Sequence, residues 1–162
     1  DLTAAMGISR PSLYAAFGNK ENLFRKAMER YAQGPGGVIA AALEAPTARE
    51  AAERLLRAVA HSLTAPGKPR GCMALNSALV CGEEARAARD HARALRCDTE
   101  GMIRKRFRRA AKEGDLPPGA DPDELARYVA TVSAGLSVQA VNGATRKDLL
   151  RVVETAMRAW PA

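Results

Sequence analysis

The stretch from Leu2 to Phe24, LTAAMGISRPSLYAAFGNKENLF, constrains this chain most, because it has the form of a short helix, a glycine-containing turn and a second helix with a free outer face. Met6, Ile8, Leu13 and Phe17 are expected to supply the apolar contacts of such a unit, with Gly7 where the chain turns sharply. Ser9 is placed to cap the second helix. Pro11 in the first turn loses nothing, since its missing N–H would have been an orphan donor, and the Ser9 hydroxyl is left to accept from Ser12. At about 100° per residue Leu13 and Phe17 share one face, so Arg10, Pro11, Ser12, Tyr14, Ala15 and Ala16 point outward or to the flanks.

The segment G-I-S-x-x-x-L-Y-x-x-F-x-x-K-E-x-L-F closely resembles the DNA-binding signature of the TetR family of bacterial transcriptional regulators. The resemblance covers about the first thirty residues, the span of one supersecondary motif. It implies a homodimeric repressor whose N-terminal domain, here residues 1–33, binds double-stranded operator DNA. A larger helical domain, residues 34–162, is then implied to bind a small effector and to dimerise. One more helix and a flexible arm normally precede the motif in this family, so the chain is expected to begin after a missing N-terminal segment. Tyr14 and Lys20 match the family positions that hold operator phosphates, and Lys20 stands in a first helical turn, where free N–H groups already favour an anion. Thr3 is a further phosphate candidate. Base reading would fall to Arg10 and Ser12 through hydrogen bonds, and to Pro11 or Ala15 through contact with a thymine methyl. Where this chain has Ala15 and Ala16, many members of the family carry aromatic residues or His.

Composition fits an all-α fold. Hydrophobic residues make up 47% of the 162 residues but aromatics only 4%, while Ala and Arg, both good helix formers, abound. Asn19 should cap a helix from Lys20 to about Gln33, ended by Gly34-Pro35-Gly36-Gly37, and a short apolar segment from Val38 to Ala45 stops at Pro46. Thr47 to Glu50 has the form of a capping box and opens a helix to about Leu63. A compact apolar helix from Cys72 to Val80 and a long arginine-rich one from Glu83 to Lys112 follow. Asp121-Pro122-Asp123-Glu124 starts another, and the last begins at Thr145. No run approaches the ~18 apolar residues of a membrane span, so a cytoplasmic protein is expected.

The formal net charge is +7, yet in residues 1–31 bases exceed acids only by two. Ten Lys or Arg residues lie between Arg86 and Lys112, including Arg104, Lys105, Arg106, Arg108 and Arg109, and such a run reads first as a solvated face, with a phosphate- or partner-binding role as the alternative. Leu149, Val152, Val153, Ala156, Met157 and Trp160 form one apolar stripe, and Leu125, Tyr128, Val129, Val132 and Leu136 another. They could cover the protomer's own core. The resemblance favours instead a four-helix dimer bundle containing Val129, Val132, Leu136, Leu149, Val153, Met157 and Trp160, with small residues such as Gly135 allowing close approach.

In that family the ligand pocket lies among the middle helices, where His61, Met73, Asn76, Met102, Phe107 and Tyr128 are candidates. Asn76 or Tyr128 would anchor an apolar or aromatic effector, neutral or anionic rather than cationic, against Met73, Met102 and Phe107. His61 and His91 lie far apart, and with Cys72, Cys81 and Cys97 they form no metal-ligand spacing, so no metal or cofactor is expected and the thiols read as free and buried. Neither a G-x-S-x-G nor a P-loop occurs, which speaks against an enzyme. The alternatives to a ligand-responsive regulator are a helical small-molecule carrier and a cofactor-independent enzyme with a vestigial DNA-binding head.

Overall fold

The computed structural model describes residues 1–34, 38–80 and 86–161, and of residues 78–80 the backbone alone. Its described residues form nine helices and no strand: α1 (Leu2–Met6), α2 (Arg10–Phe17), α3 (Lys20–Gln33), α4 (Val38–Leu43), α5 (Ala48–Leu63), α6 (Met73–Val80), α7 (Arg86–Glu113), α8 (Pro122–Val141) and α9 (Arg146–Arg158). Boundaries follow the capping chemistry. Ser9, Asn19, Thr47, Asp121 and Thr145 each accept a hydrogen bond from a backbone N–H in the first turn of the helix they precede. The expected starts of α3, α5, α8 and α9 are therefore met, while α4 ends two residues early and α6 starts one residue late. The expected Pro35-Gly36-Gly37 break and the start of α7 at Glu83 lie outside the described residues.

The α9 cap is reciprocal. The Thr145 hydroxyl and N–H both donate to Asp148 Oδ2, at 2.6 and 3.0 Å, and the Asp148 N–H donates back to Thr145 Oγ1. These bonds, the hydroxyl's first, hold the Asp148 carboxyl below the ordinary carboxylate range. A lowered folded value means that this contribution to stability is present above the ordinary value and disappears as pH falls through the lowered one. Asp148→Asn should accordingly show a shallower loss of melting temperature below about pH 4 than the parent chain, and identical acid limbs would show the cap to be irrelevant.

Helix α5 is the centre of the main core. Its Leu55, Leu56 and Val59 meet Ile103 and Phe107 of α7, Val129 and Leu136 of α8, and Leu149 and Val153 of α9. Trp160 closes one end, its ring edge-on to Phe107 with centroids 5.4 Å apart and planes at 78°. A second, smaller cluster forms where Met28 of α3 packs on Ala74 of α6 and Ala92 of α7, so the helix that follows the motif is seated on the body of the protein.

The stripes on α8 and α9 are thus corrected. Val129, Leu136, Leu149, Val153, Met157 and Trp160 are buried in the protomer itself and Val132 is packed against the same core, so they have little or no surface left for a partner. Periodicity identified the apolar face but not what covers it. The exposed apolar side chains of these two helices are Val138, Val141 and Val152.

The arginine run is mostly a solvated, acid-paired face. Arg104 bonds Glu100 at 2.6 Å, Arg108 forks onto Asp123, and Arg109 lies 3.6 Å from Glu113. Arg106 is the exception. It is buried, its Nε donates to the Leu43 carbonyl at 3.1 Å, and its Nη2 donates to the carbonyls of Ala45 and Pro46 at 3.0 Å each. The guanidinium therefore closes the C-terminal end of α4 and the turn after it, with Asp115 3.8 Å away and itself accepting from the Ala48 N–H.

Candidate functional site

The first candidate site is the outer face of α2. Gly7 adopts φ 64°, a left-handed conformation that reverses the chain after α1, while its N–H donates to Ala4 O and the Ile8 N–H donates to Thr3 O. Ser9 then accepts from the Ser12 N–H at 3.2 Å, with Pro11 inside the first turn. Gly18 at φ 74° makes the next reversal, and Asn19 caps α3 by accepting from the Asn22 N–H at 2.8 Å. Leu13 is buried and Phe17 half-buried beneath Lys26, whose Nζ lies 5.4 Å from the ring centroid.

With Leu13 turned inward, Pro11 and Ala15 lie on the opposite side of α2, Ser12 and Tyr14 flank them, and Arg10 stands at the start of the helix nearer the Leu13 side. All five are exposed, as is Lys20 at the start of α3, and Thr3 is half-buried. Tyr14 has 53% of its surface free, so its ring is available to a partner. Met6 departs from expectation. It is exposed with Leu2, because no described element lies over that side of α1.

The second candidate is a cavity of about 310 Å³ enclosed by α3 to α8. Ile39, Leu55, Val59, Leu75 and Ile103 contribute to its apolar wall, and Tyr31, Ser62, Cys72, Thr99, Ser133 and Ser137 are polar positions, with the carboxylate of Glu100 and the exposed Arg93 and Arg96 also bordering it. This size and this mixture, mainly apolar with a few convergent polar groups, suit a small organic molecule. Gly71, at φ 90°, lets the chain pass close to α8: a Cβ there would stand 2.5 Å from Val141 Cγ2. The Cys72 N–H consequently reaches Ser137 Oγ at 2.8 Å.

None of the six ligand candidates named from sequence lines this cavity. His61 and Met102 are exposed, Phe107 is sealed in the core, and Met73 packs on the Met28 cluster. Asn76 is half-buried beside Gly71, and Tyr128 donates its hydroxyl to the Ala156 carbonyl at 3.1 Å. All six lie in helices that line the cavity and on other faces of them, because the helical phase toward a cavity depends on neighbours that the sequence does not identify. Tyr31 was missed altogether. It sits in the last turn of α3, within the segment assigned to DNA binding, and its one visible signal was a polar aromatic ring on the apolar side of that helix.

Of the thiols, Cys72 is half-buried and Cys97 exposed, which corrects the expectation of buried thiols, and Cys81 lies outside the described residues. Among the described residues no group of three His, Cys, Asp or Glu side chains could hold a metal ion, and no helix is long and apolar enough to cross a membrane.

A helix-turn-helix on an all-helical body that encloses an organic-sized cavity defines the class: a DNA-binding regulator with a ligand-binding domain. Residues 48–155 match the family model for the tetracyclin repressor-like C-terminal domain. The TetR family transcriptional regulator CifR, solved as a cysteine-substituted variant in complex with 26-bp double-strand operator DNA, superposes with a TM-score of 0.93 at 45% identity, over 99% of this chain and 84% of that one. A TetR-type protein from Rhodococcus sp. RHA1 superposes at 0.71 with 38% identity, over 99% of this chain and 86% of that one. The HTH-type transcriptional repressor ComR of Escherichia coli K12 is 28% identical over 163 residues, 99% of this chain and 78% of that protein. The chain belongs to the TetR family of transcriptional regulators.

Proposed function

We propose that this regulator represses transcription by binding operator DNA through the outer face of α2, and that a small molecule in the cavity releases it. The observation that carries the reading is the row of exposed Arg10, Pro11, Ser12, Tyr14 and Ala15, fixed in direction by the buried Leu13, with Lys20 beside it. Tyr14, Lys20 and the half-buried Thr3 serve as phosphate contacts that position the helix, and Arg10 and Ser12 read base edges in the major groove. Pro11 and Ala15 offer apolar surface to a thymine methyl. The structures of CifR in complex with operator DNA support this assignment through the close superposition.

Residues 1–33 act as the DNA-binding part and the remainder as the ligand-binding and dimerisation part. Two copies associate through the free sides of α8 and α9, where Gly135, Val138 and Val152 are exposed, and thereby present two heads to the two halves of a palindrome. The role is one of binding without catalysis. It is exercised in the cytoplasm, where the operator is.

Duplexes selected from a random pool by the full-length protein, followed by anisotropy titrations at several salt concentrations, test the assignment. Lys20→Ala should weaken all duplexes about equally and lower the salt slope by about one, whereas Arg10→Ala should cost about 1–3 kcal/mol on the selected sequence and little on random DNA. A Lys20→Ala variant that loses sequence preference, or an Arg10→Ala variant that keeps it fully, contradicts the division between positioning and reading.

A further inference from the structure

One face of α7 runs along the cavity and changes character as it goes. Arg93, Arg96, Cys97, Glu100 and Ile103 all line the cavity and fall at i, i+3, i+4, i+7 and i+10, a span of about 15 Å at the rise of an α-helix. Arg93, Arg96 and Cys97 are exposed, Glu100 is half-buried, and Ile103 is 1% exposed within the same buried cluster as Leu55 and Val59. The cavity therefore has a wet, charged mouth and a dry, apolar end.

The charge at the mouth is uncommitted. Arg104, Arg106, Arg108 and Arg109 each have an acid within 3.8 Å, whereas among the described residues Arg93 and Arg96 are paired with none. Glu100 does not serve them, because its carboxylate is already held by Arg104 at 2.6 Å and Arg127 at 3.4 Å. These three are the charged side chains of the lining, so with Glu100 answered by its own two guanidiniums the free charge bordering the cavity is positive. Further in, Ser137 accepts from the Cys72 N–H, Thr99 donates to the Leu95 carbonyl, and Ser62 is engaged as well.

We propose, resting on the cavity as the effector site, that it takes an amphiphilic monocarboxylate, its head held between Arg93 and Arg96 and an apolar body of about ten carbons lying along α7 toward Ile103. Residues at i and i+3 are neighbours on a helix surface, so the two guanidiniums can grip one carboxylate from both sides. The head keeps water on its free side, and no charge enters the apolar end. The size of the body follows from the volume: a cavity of about 150 Å³ holds benzene, and this one, at about 310 Å³, has twice the room. A cationic head would meet two free guanidiniums and find the Glu100 carboxylate taken.

The test puts three heads on one chain. Calorimetric titration of the full-length protein should show decanoate binding about 5- to 30-fold tighter than 1-decanol, a charge-assisted pair weakened by its exposure to water, with decylamine the weakest. Raising salt from about 0.05 to about 0.5 M should narrow the gap between decanoate and 1-decanol, since exposed charges are screened. Arg93→Gln combined with Arg96→Gln should bring decanoate down to the affinity of 1-decanol, whose own affinity stays that of the parent and is the control for the fold. Arg93→Glu combined with Arg96→Glu should invert the order in favour of decylamine, which loss of structure would not do.

Ala134→Leu, which narrows the cavity from α8 and whose operator binding is the control for its fold, should block all three compounds. Equal affinities of decanoate and 1-decanol in the parent, a preference that survives the double Gln variant, or decylamine as the tightest binder overturns the assignment of the head. Binding indifferent to Ala134→Leu, or no binding by any of the three, overturns the placement of the body in the cavity. Saturating decanoate should also lower affinity for the selected operator. If decanoate binds through both arginines and is blocked by Ala134→Leu but leaves the operator affinity unmoved, the carboxylate site stands and the cavity's role as the effector site falls.

Discussion

Val153→Asp is expected to unfold the protomer, whereas Val152→Asp leaves it folded and separates the dimer. The two residues are adjacent on α9, about 100° apart around it: Val153 is 0% exposed among the core residues of α5 and α8, and Val152 is 46% exposed. Burying a carboxylate in that core without a partner costs several kcal/mol, as ionised charge or as a neutralised acid with unmet hydrogen bonds, on top of the lost valine packing. Against a total stability of about 5–15 kcal/mol, this removes most of the folded population. At position 152 the same carboxylate stays in water in the free protomer and meets its own copy only on association, so its cost falls on the dimer. Circular dichroism melting and sedimentation velocity distinguish the two outcomes. A folded, monomeric Val153→Asp would show that the core and the seam have been assigned to the wrong faces.

Arg106→Met should lose about 3–5 kcal/mol of stability, well beyond the effect of changing any other arginine in the run. Methionine fills a similar volume but donates nothing, so the carbonyls of Leu43, Ala45 and Pro46 lose their donors in a site with little water, and Asp115 loses its neighbouring cation. Each stranded carbonyl costs about 1–3 kcal/mol, partly recovered where relaxation lets water in. Arg106→Lys should recover only part of the loss, since a single ammonium cannot reach three carbonyls in the forked geometry of a guanidinium. Arg109→Met, removing an exposed pair with Glu113, should fall within about 1 kcal/mol of the parent chain. Urea denaturation of the three variants gives the order directly. A loss below about 1 kcal/mol for Arg106→Met would mean that water already serves those carbonyls.

The position of Arg106 also bears on how the parts communicate. It holds the C-terminal end of α4 to α7, while Ile39 near the other end of α4 lines the cavity. One end of this helix is therefore pinned and the other faces whatever the cavity contains. Tyr31 makes the corresponding link from α3, so both helices that lead from the head into the body touch the cavity.

The helix-turn-helix was legible in the sequence because its determinants are local. Gly7 and Gly18 supply the two reversals, Ser9 and Asn19 the caps, and Leu13 the inward direction, all within one or two turns of the residues they control. The exposed face of α2 follows from these alone, as do the starts at Thr47, Asp121 and Thr145. What only the tertiary structure decided is which neighbour each apolar or charged face meets. Periodicity marked Leu149, Val153 and Trp160 as one stripe, but only the packing of α9 on α5 showed that the protomer consumes it. Composition made Arg106 one of ten like charges, and only the approach of the α4 turn buried it. Tyr31 on α3, Cys72 just before α6 and Ser137 on α8 are far apart in the chain. The cavity they share exists because α3, α6 and α8 converge, and no local pattern records that convergence, since the energy of a cavity wall depends on partners that the chain brings together only on folding.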